Sequence, residues 1–398
     1  MDLRRKLRWV AVLYFAEGFP FGITTDNLPV YFRTHGVSLV EIGLLSLLGL
    51  PWTLKVLWSP LVDRFGERRQ WMTGALLLMA VLLAALPLLD PARPTWWLWA
   101  LLLAFTTASA TQDIAIDAYT IGLLASGEEG VANGVRVSAY RAALIVGGGG
   151  LVILADTIGW RMVFWSAAAM LLLLAGSIWR SPRVTVARGD SDAAWFAPLW
   201  AWLRRPGAPL IFLFVLTYKL GDASMGPMVK PFWVDRGFSV QEIGLVSTTF
   251  GVFASVFGAL VGGVLTTRWG IFRGLWALGL LQAFSNLGYA AAAYGDAGRI
   301  GIYSASLFES FTGGLGTAAF LAFLMHICDK RQAATEYALL SAIFGFTRSL
   351  AGGVSGWGTT SLGYPMYFAF TFVLAFPAYA LLPWVKEWIT DAPAELSG

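Results

Sequence analysis

Hydrophobic residues fall into twelve long apolar stretches. Six lie at roughly residues 9–32, 40–61, 71–90, 95–125, 131–156 and 161–180. After a polar break, six more follow at roughly 209–233, 240–266, 273–294, 300–327, 334–357 and 364–385. Each is near the roughly 20 residues that a helix needs to cross about 30 Å of hydrocarbon. The pattern therefore predicts an all-helical membrane protein. The break holds Arg183, Arg188, Asp190, Asp192, Arg204 and Arg205. It reads as a linker over 181–208, with a short interfacial helix around Trp195 to Trp202. The predicted domains are 1–180 and 209–398.

The two halves are related. His35-Gly36-Val37-Ser38-Leu39-Val40-Glu41-Ile42-Gly43-Leu44 reads against Arg236-Gly237-Phe238-Ser239-Val240-Gln241-Glu242-Ile243-Gly244-Leu245, an offset of 201. Ile158-Gly159-Trp160-Arg161-Met162 reads against Leu362-Gly363-Tyr364-Pro365-Met366, an offset of 204. An even number of spans per half gives both halves the same topology, so they are parallel repeats about an axis along the membrane normal. A substrate site is then expected between the two six-helix bundles, near mid-membrane.

Composition agrees. Of 398 residues, 57% are hydrophobic and 13% charged, about half the charge of a soluble domain; mean hydropathy is +0.65. Many of the nineteen Trp lie near span ends, as in an interfacial aromatic belt. The basic N-terminus, Arg4-Arg5-Lys6-Leu7-Arg8, resembles a signal n-region, but no small-residue cleavage site follows and Glu17 interrupts the apolar run. It reads as an uncleaved first span. Seventeen basic residues fall on the side of the termini and five on the other, so the positive-inside rule puts both termini in the cytoplasm. A net charge of +4 without a basic soluble face gives no reason to expect nucleic acid. One cysteine and two distant histidines predict no disulfide and no metal site. No cofactor is expected. Hydrolase and protease signatures such as His-Glu-x-x-His, Gly-x-Ser-x-Gly and Gly-x-Gly-Asp are missing, so an enzyme is not expected.

Ionisable residues inside spans cost about 2.5–3.5 kcal/mol each on insertion scales and so mark function or pairing. Glu17 lies in Tyr14-Phe15-Ala16-Glu17-Gly18-Phe19-Pro20, and Lys55 in the second span. Asp113 and Asp117 are spaced i,i+4 in Ala110-Thr111-Gln112-Asp113-Ile114-Ala115-Ile116-Asp117-Ala118-Tyr119, which puts both on one helix face. Two readings stand side by side: proton coupling through Asp113, Asp117 and Glu17, or fixed pairing of the aspartates with Lys55, Arg136 or Arg141. The matching stretch of the second half, Gly316 to Phe323, has no acid. There, Lys219 and Asp222 are i,i+3 neighbours that can neutralise each other. Glu309, Arg348 and, from the first half, Arg141 are candidates to hold an anionic or polar substrate, with Lys55, Gln112, Tyr14 and Tyr119 as further contacts. Between the second and third spans, Asp63, Arg64, Gly66, Arg68 and Arg69 form a short charged loop suited to latch one access state.

That loop, Asp63-Arg64-Phe65-Gly66-Glu67-Arg68-Arg69, resembles the loop motif of the major facilitator superfamily, with Glu67 where a basic residue is commoner. Longer segments resemble its AmpG-type peptidoglycan-fragment permeases and the related acetyl-CoA transporters: Tyr14 to Pro20, Ile42 to Pro60, Ala110 to Tyr119, Tyr140 to Ala155, Gly313 to Met325 and Ala334 to Ser341. The run Thr111 to Asp117 is the most specific. The better-known permeases of this type are longer, with membrane segments beyond twelve. The resemblance implies a major facilitator fold in a bacterial inner membrane. It also implies import of anhydro-muropeptides driven by protons, and it puts that function on Asp113 and Asp117 in particular. The expected partners are a small-molecule substrate, protons and the lipid bilayer, with the chain a monomer. Exchange of another polar metabolite, such as a coenzyme A thioester, and a non-transporting sensor of cell-wall fragments are the alternatives.

Overall fold

The computed structural model describes residues 1–125, 128–184, 204–205, 207–295, 297–328 and 333–390. The expected linker lies mostly outside these, as does the expected interfacial helix. Among the described residues every regular element is helical. Seven stretches are long and apolar enough to cross a membrane. Two of them, Val131–Trp179 and Leu339–Ile389, are each long enough for two passes, and each is folded at a glycine, Gly159 and Gly363. With residues 3–34, Trp96–Leu123 and Ile271–Tyr294 there are twelve passes among the described residues, as the hydropathy pattern predicts. We number them α1 (3–34), α2 (39–64), α3 (68–88), α4 (Trp96–Leu123), α5 (129–158), α6 (160–179), α7 (208–235), α8 (240–269), α9 (Ile271–Tyr294), α10 (Gly298–His326), α11 (333–362) and α12 (364–390).

The repeat seen in the sequence recurs in backbone geometry. At the end of α1, Gly36 has φ 79°, its N–H bonds Arg33 O and the N–H of Val37 bonds Phe32 O. At the end of α7, Gly237 has φ 73°, its N–H bonds Val234 O and the N–H of Phe238 bonds Trp233 O. This is the same Schellman closure, set by a residue that tolerates positive φ. The turns at Gly159 (φ 77°, ψ 155°) and Gly363 (φ 73°, ψ 159°) also match. A third pair follows the same offset: Arg64-Phe65-Gly66 and Arg268-Trp269-Gly270, where Gly66 and Gly270 again have positive φ.

The chain packs into two compact units. The first comprises Met1–Ser38, Leu48–Ser191 and Trp233–Thr249; the second comprises Leu39–Leu47, Asp192–Phe232 and Phe250–Gly398. Within the first, α1 and α5 each open into a π-turn, at Ile23–Asn27 and Ile145–Gly150. A side chain at Gly147 would strike the backbone of Phe19, and one at Gly148 would press on Asp26. The glycine run therefore serves close helix approach. The α5 run also bonds Asn27, whose Nδ2 donates to Gly147 O at 3.1 Å. The second unit has an aromatic core of Phe214, Tyr218, Phe320 and Phe323, closed by Leu382 and Val385.

Candidate functional site

Helices α1, α2, α4 and α5 bring five charged groups together in the first unit. The i,i+4 spacing in α4 puts Asp113 and Asp117 on one face, but each meets a different partner. Lys55 Nζ of α2 donates to Asp113 Oδ2 at 2.6 Å. Tyr14 Oη of α1 donates to Asp117 Oδ1 at 2.7 Å, and Arg136 of α5 approaches the same oxygen at 3.5 Å. The Arg136 guanidinium also lies over the Tyr14 ring, 4.5 Å from its centre, a cation–π contact. Glu17 of α1 belongs to the same cluster, its Oε2 buried and without a hydrogen-bond partner among the described residues. Gln112 Nε2 donates to Ala16 O at 3.3 Å, tying α4 to α1 beside Glu17.

Exposure is graded across the cluster. The side chain of Asp113 is 11% exposed, whereas those of Asp117 and Arg136 are 38% and 45% exposed. Asp117 and Arg136 therefore lie at the accessible edge of the cluster and Asp113 inside it. The cluster holds three carboxyls, Glu17, Asp113 and Asp117, against two cations, Lys55 and Arg136. One bound proton makes it neutral. A buried uncompensated charge is costly, so the extra carboxyl marks this cluster out.

The structure thus gathers Tyr14, Glu17, Lys55, Asp113 and Asp117, with Gln112 bracing them. Tyr119 is not in this group: it is buried and its hydroxyl donates to Pro182 O at 2.7 Å. Arg141 is half-buried on α5 and is in none of the cluster's ion pairs. Glu309 is half-buried on α10 and Arg348 exposed on α11, both in the second unit. In the charged loop, Gly66 takes its positive φ and Arg68 is half-buried at the start of α3. Arg69 donates to Ser181 O at 3.3 Å and to Glu67 at 3.4 Å, and lies over the Trp179 ring. It therefore reaches the end of α6. The side chains of Asp63 and Arg64 lie outside the described residues. Arg136 enters the sequence reading only as a pairing partner. Its position one turn before the family-like segment that opens at Tyr140 is the signal that marks it.

A groove of about 870 Å³ runs between α3 and α4, lined by Phe65, Trp71, Ala75, Leu78, Leu103 and Ala104 among others. It shares no residue with the cluster, and its lining is mainly apolar.

A profile of the Major Facilitator Superfamily matches residues 10–218. The chain is 36% identical over 381 residues to the anhydromuropeptide permease of Escherichia coli, covering 93% of this chain and 78% of the permease. It is 28% identical over 397 residues to the putative transporter AmpG 4 of Rickettsia conorii, covering 95% of each. Among solved structures it is similar to the nucleoside transporter NupG, with TM-score 0.75 and 17% identity over 96% of this chain and 99% of that one. It is also similar to an inward-facing bacterial homolog of the human lysosomal transporter Spinster, with TM-score 0.79 and 16% identity over 98% and 99%. At such identities these two carry the fold alone. A match across more than half the chain, and a 36% relative across nearly all of it, show that the chain belongs to the Major Facilitator Superfamily, as a multi-pass membrane transporter related to the AmpG-type permeases.

Proposed function

We propose that this protein imports anhydro-muropeptides across a bacterial inner membrane, coupled to protons, by alternating access. The observation that carries the reading is the 36% identity to a permease named for that substrate class, sustained over 93% of this chain. The Glu17–Asp113–Asp117 cluster supplies the coupling element. In the empty state Lys55 and Arg136 balance two of the three carboxyls. A proton entering past Asp117 settles on this cluster and removes the residual charge. Tyr14 is 2% exposed, its hydroxyl on Asp117 and its ring under Arg136, so it orients these two groups rather than stacking on a sugar. The excess of basic residues on the side of the termini supports a cytoplasmic location for both, so the loop from Asp63 to Arg69 serves as a cytoplasmic gate.

The test is uptake of labelled N-acetylglucosaminyl-anhydro-N-acetylmuramic acid into proteoliposomes, with and without an imposed proton gradient. Accumulation that requires the gradient is expected. Uptake that only equilibrates, whatever the gradient, removes the proton from the mechanism. No uptake by folded protein removes the substrate.

A further inference from the structure

The second unit contains a cluster of polar side chains apart from the carboxyl cluster of the first. Lys219 sits where α7 breaks, between Ala208–Tyr218 and Leu220–Asp235. It is 2% exposed. Its ammonium donates to Gln282 Oε1 of α9 at 2.5 Å and to Thr317 Oγ1 of α10 at 3.0 Å, with Asp222 3.8 Å away. Lysine has no acceptor, so it fixes the orientation of the Gln282 amide: oxygen toward Lys219, nitrogen away. That nitrogen is buried and has no hydrogen-bond partner among the described residues, in a side chain that is itself 4% exposed. A buried donor left unpaired is uncommon and usually has a reason.

Glu309, Gly313 and Thr317 follow at i, i+4 and i+8 on α10, so they line one face. Gly313 leaves space there. A Cβ added to it would have only two heavy atoms within 4 Å, Glu309 Oε1 at 3.8 Å and Gln282 Nε2 at 3.9 Å. The other Glu309 oxygen receives the Ser310 hydroxyl at 3.4 Å. The space in front of Gly313 is therefore bordered by a hydrogen-bond donor and by a carboxylate acceptor. A carboxylate placed there would be repelled by Glu309. An ammonium could not accept from Gln282, and a methyl would leave that donor unpaired. A hydroxyl satisfies both, accepting from Gln282 Nε2 and donating to Glu309 Oε1.

We propose that Gln282, Glu309 and the gap at Gly313 form a subsite for a hydroxyl of a carbohydrate substrate. The proposal rests on the import reading for the identity of the sugar. Thr317 and Lys219 are positioning residues that hold the Gln282 amide in register.

The experiment compares wild type, Gly313→Ala and the control Gly288→Ala, whose added methyl meets nothing within 4 Å. Alanine at 313 fills the gap at ordinary contact distances and raises helix propensity, so the fold is kept. Uptake of the labelled disaccharide is measured in proteoliposomes, and its binding by the rise in unfolding temperature that it causes. For Gly313→Ala we expect KM to rise about ten-fold or more, the factor carried by one or two lost hydrogen bonds, with maximal rate and unliganded stability unchanged. Gly288→Ala should behave as wild type. Glu309→Ala should show the same KM effect, which separates loss of the acceptor from crowding. If wild type imports the disaccharide and Gly313→Ala does so with unchanged KM, the subsite is wrong and the import reading stands. If wild type binds the disaccharide without importing it, and Gly313→Ala abolishes binding, import is wrong and the subsite stands. If folded wild type neither binds nor imports it, both fall.

Discussion

Arg33 holds Asp235 through two parallel hydrogen bonds, Nε to Oδ1 at 2.5 Å and Nη2 to Oδ2 at 2.6 Å. The two residues end α1 and α7, the first passes of the two sequence halves, and both belong to the first compact unit. Arg33 also donates through Nη1 to Val37 O at 2.8 Å, across the Gly36 closure. A planar guanidinium on a carboxylate is the strong form of such a contact, and the two side chains keep only 21% and 26% exposure. Asp235→Asn, which keeps the shape but loses the charge, should lower stability by ~1–2 kcal/mol. Arg33→Lys should cost about as much, because an ammonium cannot make the two-pronged contact. Thermal unfolding in detergent checks both. Equal melting of wild type and the two variants would show that the pair adds nothing to the folded state.

Charge counting in the proton cluster gives a sharper expectation. Asp113→Asn leaves Glu17 and Asp117 facing Lys55 and Arg136, neutral without a proton. The variant should carry substrate downhill at a rate within about ten-fold of wild type, yet fail to accumulate it when a proton gradient is imposed. Accumulation at the wild-type level would remove Asp113 from coupling. Loss of downhill flux as well, in folded protein, would point to Asp113 as a structural partner of Lys55 only.

Much of this is legible in the amino-acid sequence. A bilayer forces every backbone polar group to bond within the chain, so apolar run length alone gives twelve helices and their order. The repeat offsets locate the glycine turns, because positive φ admits little else. Asp113, Asp117 and Glu17 stand out because charge is rare in spans. What stays hidden is pairing across elements. The sequence names Lys55, Arg136 and Arg141 as possible partners of the aspartates, but only packing selects the first two and assigns one to each. Tyr119 looks like a site residue from its place in the α4 motif, yet helix rotation turns it to Pro182. Gln282 escapes the sequence reading, though two amides one turn apart, Gln282 and Asn286, in a mainly apolar α9 are a usable signal. The assignment of 39–47 and 233–249 to units built mainly from the other half has no mark in composition.

One ion pair outside the spans gives a pH dependence. Glu128 accepts from the Ala125 backbone N–H at 2.7 Å and from Lys6 Nζ at 2.7 Å. The backbone bond first, and then Lys6, hold its carboxyl below the ordinary glutamate range. A carboxyl lowered in the folded state adds stability above its unfolded pKa, about 4.3, and that stability is lost as pH falls through the folded value. The difference in melting temperature between wild type and Glu128→Gln should thus be full at pH 7 and shrink below about pH 4. A difference that stays constant from pH 7 to pH 3 would mean that the carboxylate charge is not what the N-terminal segment binds.

The reversal between α5 and α6 rests on Gly159, whose φ of 77° and ψ of 155° lie in a region essentially restricted to glycine. Nothing lies within 4 Å of a Cβ added there. Any cost of Gly159→Ala is therefore backbone strain rather than a clash, and should be about 1–3 kcal/mol. Gly176 of α6 supplies the comparison. It is helical and its added Cβ also meets nothing within 4 Å, so Gly176→Ala should be neutral or stabilise by up to ~1 kcal/mol. The repeat extends the argument: Gly363 has nearly the same angles, and Gly363→Ala should cost a similar amount. Thermal unfolding of the three variants decides it. Equal loss at 159 and 363 with none at 176 is expected, and a harmless Gly159→Ala would mean that the turn relaxes to a conformation other residues can adopt.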